Sequence, residues 1–431
     1  METYKTEENG ENIVKDGEKT PKNVVFLIVL CWLVYACSYI GKLGYSANIT
    51  QIEMLYGVTH AEAGMVSTFF FFAYGIGQIV NGILCKKYNV RYVVFGGLLL
   101  SGIMNISVGF VDSFALVKYL WLVNGAALSV LWTSLIRLLS ETLDKKYMGR
   151  AVVAMGTTVA TGTFLVYGMS SLFVAFGAFK TIFYVAGILL PSIAVVWIAV
   201  YPHLVKETEN GNETPSLSET ESAGKTSGGM KGLWLPIGIL AFYAVVDNLV
   251  KDGLTTWVPT ILKDMYHLPD YVSILLTLLL PVLAVFGTSV AVTVHKKIKN
   301  FVTLCAVLFF SAAVLMGIVI GFLSTELFVV TLGSFALVSC LMSGVNNVVT
   351  SMMPLYWKDR VNSGMMAGIL NGFCYLGSTI SSYGLGLVAD AWNWSAVIWL
   401  LFALSIIAAV LGSAYTLLHR MRKRRENDES Y

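Results

Sequence analysis

Charge is what this sequence of 431 residues has least of: 13% of its side chains are charged and 56% are hydrophobic. Soluble domains carry about 25% charged residues, so a soluble fold is excluded. Cysteine pairs are missing too. The six cysteines (Cys31, Cys37, Cys85, Cys305, Cys340 and Cys374) are scattered through apolar runs without disulfide or metal-ligand spacing, and they read as small buried residues. Five histidines are equally dispersed, so no catalytic triad or metal cluster can be assembled. Neither an enzyme nor a cofactor is expected. The first twenty residues are polar and lack the apolar core of a cleaved signal. Gly224-Lys225-Thr226 resembles the end of a phosphate-binding loop, but Glu219 stands where such a loop needs glycine and no strand precedes it.

What the chain has is long apolar runs, at about 24–46, 61–84, 92–110, 114–136, 150–172, 177–201, 233–258, 271–293, 301–322, 327–350, 364–388 and 395–418. A bilayer core needs about 20 such residues per helix. Only helices or closed barrels satisfy backbone groups there, and the alternation of a barrel is absent. The expected fold is an all-α membrane protein with twelve transmembrane helices in two pseudo-symmetric six-helix bundles. Its divisions are a tail (1–22), a bundle (23–202), a hydrophilic linker (203–232), a second bundle (233–418) and a basic tail (419–431). With both termini in the cytoplasm, 24 of the 29 lysines and arginines fall on cytoplasmic segments. The expected location is the plasma membrane, with both ends inside. The small net charge of +3 reflects this topology and implies no nucleic acid.

Against that background, the few charges inside the runs stand out. Between Gly232 and Leu262 the only charged residues are Asp247, Lys251 and Asp252, and between Asn23 and Gln51 the only one is Lys42. Ionisable groups are costly in lipid, so each is read by default as a functional site facing a polar space. Each lysine is followed two places later by glycine, and the pair reads as two walls of one anion site. Snorkelling to the interface is the competing reading for Lys42. Asp247 lies four residues before Lys251, on the same helix face. It is expected to pair with Lys251, either as a coupling element released by substrate or as a fixed structural pair. Asp252 points about 100° away, toward an outer mouth. Tyr35 and Tyr39 form a stripe with Lys42. Asn248 and the Asn346-Asn347 pair need polar partners inside apolar helices, and Trp132 is more readily a packing residue.

The halves echo one another. Tyr35-Ala36 before Lys42 matches Tyr243-Ala244 before Lys251, and basic turns follow the second and eighth runs, at Lys86-Lys87 and Lys296-Lys297. Such internal repeats mark secondary transporters. Gly75, Gly77, Gly82, Gly364, Gly368 and Gly372 read as packing positions. Pro236, Pro259 and Pro281 are candidate bends.

On these residues the chain resembles the major facilitator superfamily. Within it the chain resembles the organophosphate:phosphate antiporters, which include glycerol-3-phosphate and hexose-phosphate transporters. The loop 81–91 is similar to the superfamily signature, with Gly82, Lys86, Lys87 and Arg91 present and Cys85 in place of the usual acid. Tyr35 to Lys42 and Leu249 to Leu262 are similar to the family's first and seventh helices, with lysine standing for arginine at both Lys42 and Lys251. Gly372 to Ser378 and Asp390 to Trp394 match its eleventh helix and the turn beyond. The resemblance implies Lys42 and Lys251 as anion ligands, with Tyr35, Tyr39 and Tyr375 as hydrogen-bonding partners and Gln78 where the family places a lysine. The fifth helix, from Gly149 to Gly162, lacks the family's tryptophan, asparagines and histidine. The function implied is secondary transport of a small organic anion, an organophosphate or a carboxylate, by a monomer using phosphate exchange or protons. Two rivals stand beside it. One is a proton-coupled exporter of hydrophobic or cationic compounds that uses Asp247. The other is a transporter-like sensor of organophosphates.

Overall fold

The computed structural model describes residues 21–428 apart from 85–86, 212–233, 324, 326 and 358–362. Residues 1–20 of the N-terminal tail, the linker from residue 212 onward, and Cys85 and Lys86 lie outside the described residues. Helices α1 to α6 are Lys22–Ala47, His60–Leu84, Val90–Phe110, Phe114–Thr142, Lys145–Ala175 and Thr181–Gly211. Helix α7 is Trp234–Tyr266, and α8 crosses in three pieces, Asp270–Thr277, Leu279–Ala284 and Gly287–Lys297. Helices α9 to α12 are Phe301–Gly321, Phe328–Asn347, Ser363–Ala391 and Trp394–Asp428. Eleven of these spans are long and apolar enough to cross a membrane, by length and composition. The twelfth long helix, α11, is rich in glycine, serine and threonine, and it packs on α2 and α7.

The elements follow from local chemistry. Apolar runs in lipid must close their own backbone hydrogen bonds, and they do so as helices. Asn89 caps α3 by accepting from the Arg91 amide at 2.9 Å, and Asn300 caps α9 through the Thr303 amide at 3.1 Å; a cap of this kind contributes about 1 kcal/mol. A short helix, Ile49–Tyr56, follows α1 and ends at Gly57, whose φ of 62° is open to glycine without strain. Thr59 and Glu62 then form a reciprocal box at the start of α2: the Thr59 amide donates to Glu62 Oε2 and the Glu62 amide donates to Thr59 Oγ1.

The proline expectations divide. Helix α7 runs unbroken through Pro259, whereas α8 is interrupted on both sides of the segment holding Pro281. Proline removes an i to i−4 bond and crowds the preceding turn. Helix α10 continues into a π-turn at Val348–Met352, which the sequence did not announce. Among the glycines, Gly75, Gly77 and Gly372 lie at close approaches, but Gly82 and Gly368 face open space.

The two sets of six helices meet along α2–α11, with α1 near α7 and α5 against α8. At the end of the molecule distal to both termini, this seam is tied by polar bonds between the halves. Thr50 Oγ1 meets Thr260 Oγ1 at 2.9 Å, the Tyr167 hydroxyl donates to the Thr255 carbonyl at 2.7 Å, and Ser171 Oγ donates to the Tyr271 carbonyl at 2.7 Å. Asp390 of α11 reaches across to the exposed start of α2, accepting from the His60 amide at 3.0 Å and the Ala61 amide at 2.7 Å. A carboxylate there satisfies two orphan donors and sits at the positive end of the helix dipole.

Candidate functional site

Lys42 and Lys251 are both partly accessible, on α1 and α7, near the middle of the seam. They lie close enough for their charges to act on one another, with Asp252 within reach of both. Among the described residues neither ammonium has a carboxylate oxygen at ion-pairing distance.

An aromatic nest surrounds Lys42. Its Nζ lies 5.1 Å from the Tyr39 ring centre, 4.4 Å from Tyr74 and 5.6 Å from Tyr375. Cation–π contacts of this kind are worth about 0.5–2 kcal/mol each, and they hold a charge in place without neutralising it. Tyr35 packs edge-on to Tyr39, at 5.6 Å, and against Trp132 at 4.8 Å. Tyr74 and Tyr375 meet at 4.8 Å across the two halves. Lys42 is therefore gathered into the centre rather than extended toward an interface.

The backbone beside Lys42 is anchored as well. The Gly41 carbonyl accepts from Asn124 Nδ2 at 2.8 Å and from Asn105 Nδ2 at 3.3 Å. Ser101 Oγ completes the set by donating to Asn124 Oδ1 at 2.6 Å. All three side chains are buried, and a buried polar group left unpaired is costly. Asn124→Ala is expected to remove about 1–2 kcal/mol of stability, read as a lower thermal midpoint of the purified protein.

Around Lys251 a polar chain links three helices. Lys251 Nζ donates to Asn248 Oδ1 at 3.2 Å. Asn346 Nδ2 of α10 lies 3.1 Å from Asp247 Oδ2 and 3.1 Å from Asn248 Oδ1. Asn248 Nδ2 donates to Ser378 Oγ of α11 at 3.3 Å, and Ser378 Oγ donates to Asp252 Oδ2. Asp247 is fully buried, and its Oδ1 has no hydrogen-bond partner.

The structure corrects two geometric expectations. Asp247 is not in ion-pair contact with Lys251, because the intervening amides of Asn248 and Asn346 take up the bonds. Asp252 does not point to an outer mouth; Ser378 holds it against α11. Asn346 finds the interhelix partners its place in an apolar helix called for, whereas the central position of Tyr74 and Ser378 was not expected. Tyr74 follows the run Phe69 to Phe72 and reads as core in sequence, and only its nearness to Lys42 reveals it. Gln78 lies one turn along α2 from Tyr74 and is buried. Tyr243, the sequence counterpart of Tyr35, does not share its setting; it packs on Phe309 at 5.1 Å.

Taken together, the site offers two ammonium groups, one from each half and neither ion-paired among the described residues, and several hydroxyl donors. Phosphate and carboxylate oxygens are the natural acceptors for such a set.

Comparison with known proteins finds relatives over most of the chain. The family described as Major Facilitator Superfamily matches residues 31–363. The chain is 23% identical to the probable hexose phosphate transport protein of Chlamydia pneumoniae, over 82% of this chain and 83% of that protein. It is 22% identical to the membrane sensor protein UhpC of Escherichia coli, over 86% and 87% of the two chains. It is 21% identical to the glycerol-3-phosphate transporter of Bacillus subtilis, over 87% and 88%. Among solved structures, a bacterial homologue of the human lysosomal transporter Spinster, in an inward-facing and occupied conformation, superposes with a TM-score of 0.73. That match covers 93% of this chain and 98% of the other, at 11% identity.

Proposed function

The chain belongs to the Major Facilitator Superfamily, and from that premise we propose that it is a secondary carrier of a small organic anion, an organophosphate or a carboxylate. The observation that carries the reading is the pair of lysines, one in each half, neither with a carboxylate oxygen at ion-pairing distance among the described residues, with Tyr39, Tyr74 and Tyr375 gathered around Lys42. Transport proceeds by rocking of the segments 23–202 and 233–418 about that site, so that it opens to one face and then the other. The basic residues flanking the crossings support cytoplasmic termini, and with that orientation the tied distal seam lies on the outer side. The carrier works as a monomer in the cell membrane.

Lysine in place of a guanidinium fork has a consequence. An ammonium is a compact point charge, so the site tolerates varied anion geometry rather than demanding a bidentate grip. The test is a panel of phosphorylated and carboxylated metabolites scored for thermal stabilisation of the purified protein, followed by flux in proteoliposomes. Stabilisation by anions alone supports the reading. Stabilisation by hydrophobic cations alone favours the exporter. Similarity to a membrane sensor gives a second reading some support, and binding without flux would select it.

Asp247 is the proposed coupling residue. Its carboxyl is fully buried with one oxygen lacking a hydrogen-bond partner, so taking up a proton would remove the cost of an incompletely solvated buried charge. Asp247→Asn is expected to flatten the pH dependence of uptake while preserving anion binding. A pH profile matching that of the wild type would remove Asp247 from coupling and leave phosphate exchange.

A further inference from the structure

We propose that the distal seam contains a proton-binding site centred on His60, and that the two halves close there only when that proton is bound. The imidazole lies where elements of both halves converge. Its Nδ1 is 3.0 Å from Glu53 Oε1, on the short helix of its own half. Its Nε2 is 3.5 Å from Asp264 Oδ2, on α7 of the other half. The third carboxylate nearby, Asp390 of α11, is held by the His60 and Ala61 amides. The Trp394 indole donates to Asp264 Oδ2 at 2.9 Å and fixes that carboxylate. The rings of Trp394 and Trp257 lie 5.0 Å and 5.9 Å from the imidazole. The neighbouring charges are already engaged elsewhere: Lys263 with Asp270 at 3.1 Å, and Glu62 in the box with Thr59.

The proton count follows from this geometry. Neutral imidazole carries one N–H and one lone pair. With a carboxylate oxygen at each ring nitrogen, one of the two contacts would set a lone pair against an anion. One further proton makes both contacts attractive, a hydrogen bond to Glu53 at Nδ1 and an ion-pair contact with Asp264 at Nε2. Burial pushes the Glu53 carboxyl up, with the His60 contact opposing it, which keeps that proton within the cluster. When the halves separate, Asp264 and Asp390 leave with α7 and α11, whereas Glu53 stays beside His60. The reason to hold the extra proton goes with them.

The closed seam therefore binds one proton more than the open seam. By linkage, acid favours closure and alkali favours opening, with the closed-to-open ratio changing by up to about tenfold per pH unit. Histidine places this response between about pH 5 and 8. The site is separate from the central lysines, and the inference depends neither on an anionic cargo nor on which face of the membrane the seam meets.

The experiment needs no transported solute. With the native cysteines replaced, spin labels are attached at Leu55→Cys and Tyr271→Cys, two exposed distal positions in opposite halves. Distances between them are measured in lipid nanodiscs from about pH 8 to about pH 5. In the otherwise unmodified seam, the short-distance population should grow as pH falls. His60→Gln should remove the pH response, and His60→Arg, permanently charged, should hold the short distance across the range. A wild-type distribution that does not move with pH overturns the proposal without recourse to any variant. So does a His60→Gln protein, monodisperse by size exclusion, that keeps the wild-type response.

Discussion

Replacing either Lys42 or Lys251 by alanine is expected to weaken binding of the stabilising anion by about 10–100-fold. A hydrogen bond to a charged group contributes about 1.5–3 kcal/mol, and each 1.4 kcal/mol is a factor of ten in affinity. The double variant carries the sharper information. If both ammonium groups grip one anion, their effects are coupled, and the loss in the double variant departs from the sum of the single losses. If only one lysine touches the cargo, the other substitution leaves affinity near the wild-type value and the shared-site reading fails. Thermal shift titrations on the four proteins settle the matter. Because Lys42 Nζ lies 4.4 Å from the Tyr74 ring centre, Tyr74→Leu should also weaken binding, by less than removal of the charge itself.

Gly64→Val is expected to reduce flux to background while leaving both halves folded. A Cβ at position 64 would lie 2.0 Å from the Ser382 carbonyl oxygen and 2.9 Å from the Trp257 ring, both in the opposite half. Backbone oxygen does not yield to such a contact, so the distal seam must spread. A carrier that cannot close one seam cannot complete its cycle, whatever its affinity for cargo. Gly168→Ala is the control, since a Cβ there would meet nothing within 4 Å, and its flux should match the wild type. Normal flux in Gly64→Val would show that the seam need not close as tightly as the structure has it.

The twelve-helix architecture was legible because lipid leaves the backbone so little choice, and a charge inside an apolar run is conspicuous. That made Lys42, Asp247, Lys251 and Asp252 readable. Their partners were harder to see. Ser378 reaches Asp252 from 126 positions along the chain, and periodicity within one helix says nothing about a neighbour. Helical spacing put Asp247 on the face of Lys251, but in the fold Lys251 bonds to Asn248 and Asp247 to Asn346. Tyr74 was hidden by resemblance: an aromatic residue after four consecutive phenylalanines looks like packing. The close approach at Gly64 was invisible for a simpler reason. Glycine announces that something may come near, and not what.

The clamp on the Gly41 carbonyl bears on how the carrier meets membranes of different thickness. Asn105 and Asn124, on α3 and α4, fix the height of the Lys42 backbone from within the protein. Hydrophobic mismatch is accommodated by tilt or by bilayer deformation. A thinner or thicker host membrane would then lean the half as one piece, and the ammonium would keep its level relative to its scaffold. Reconstitution into short-chain and long-chain lipids should alter turnover before it alters affinity.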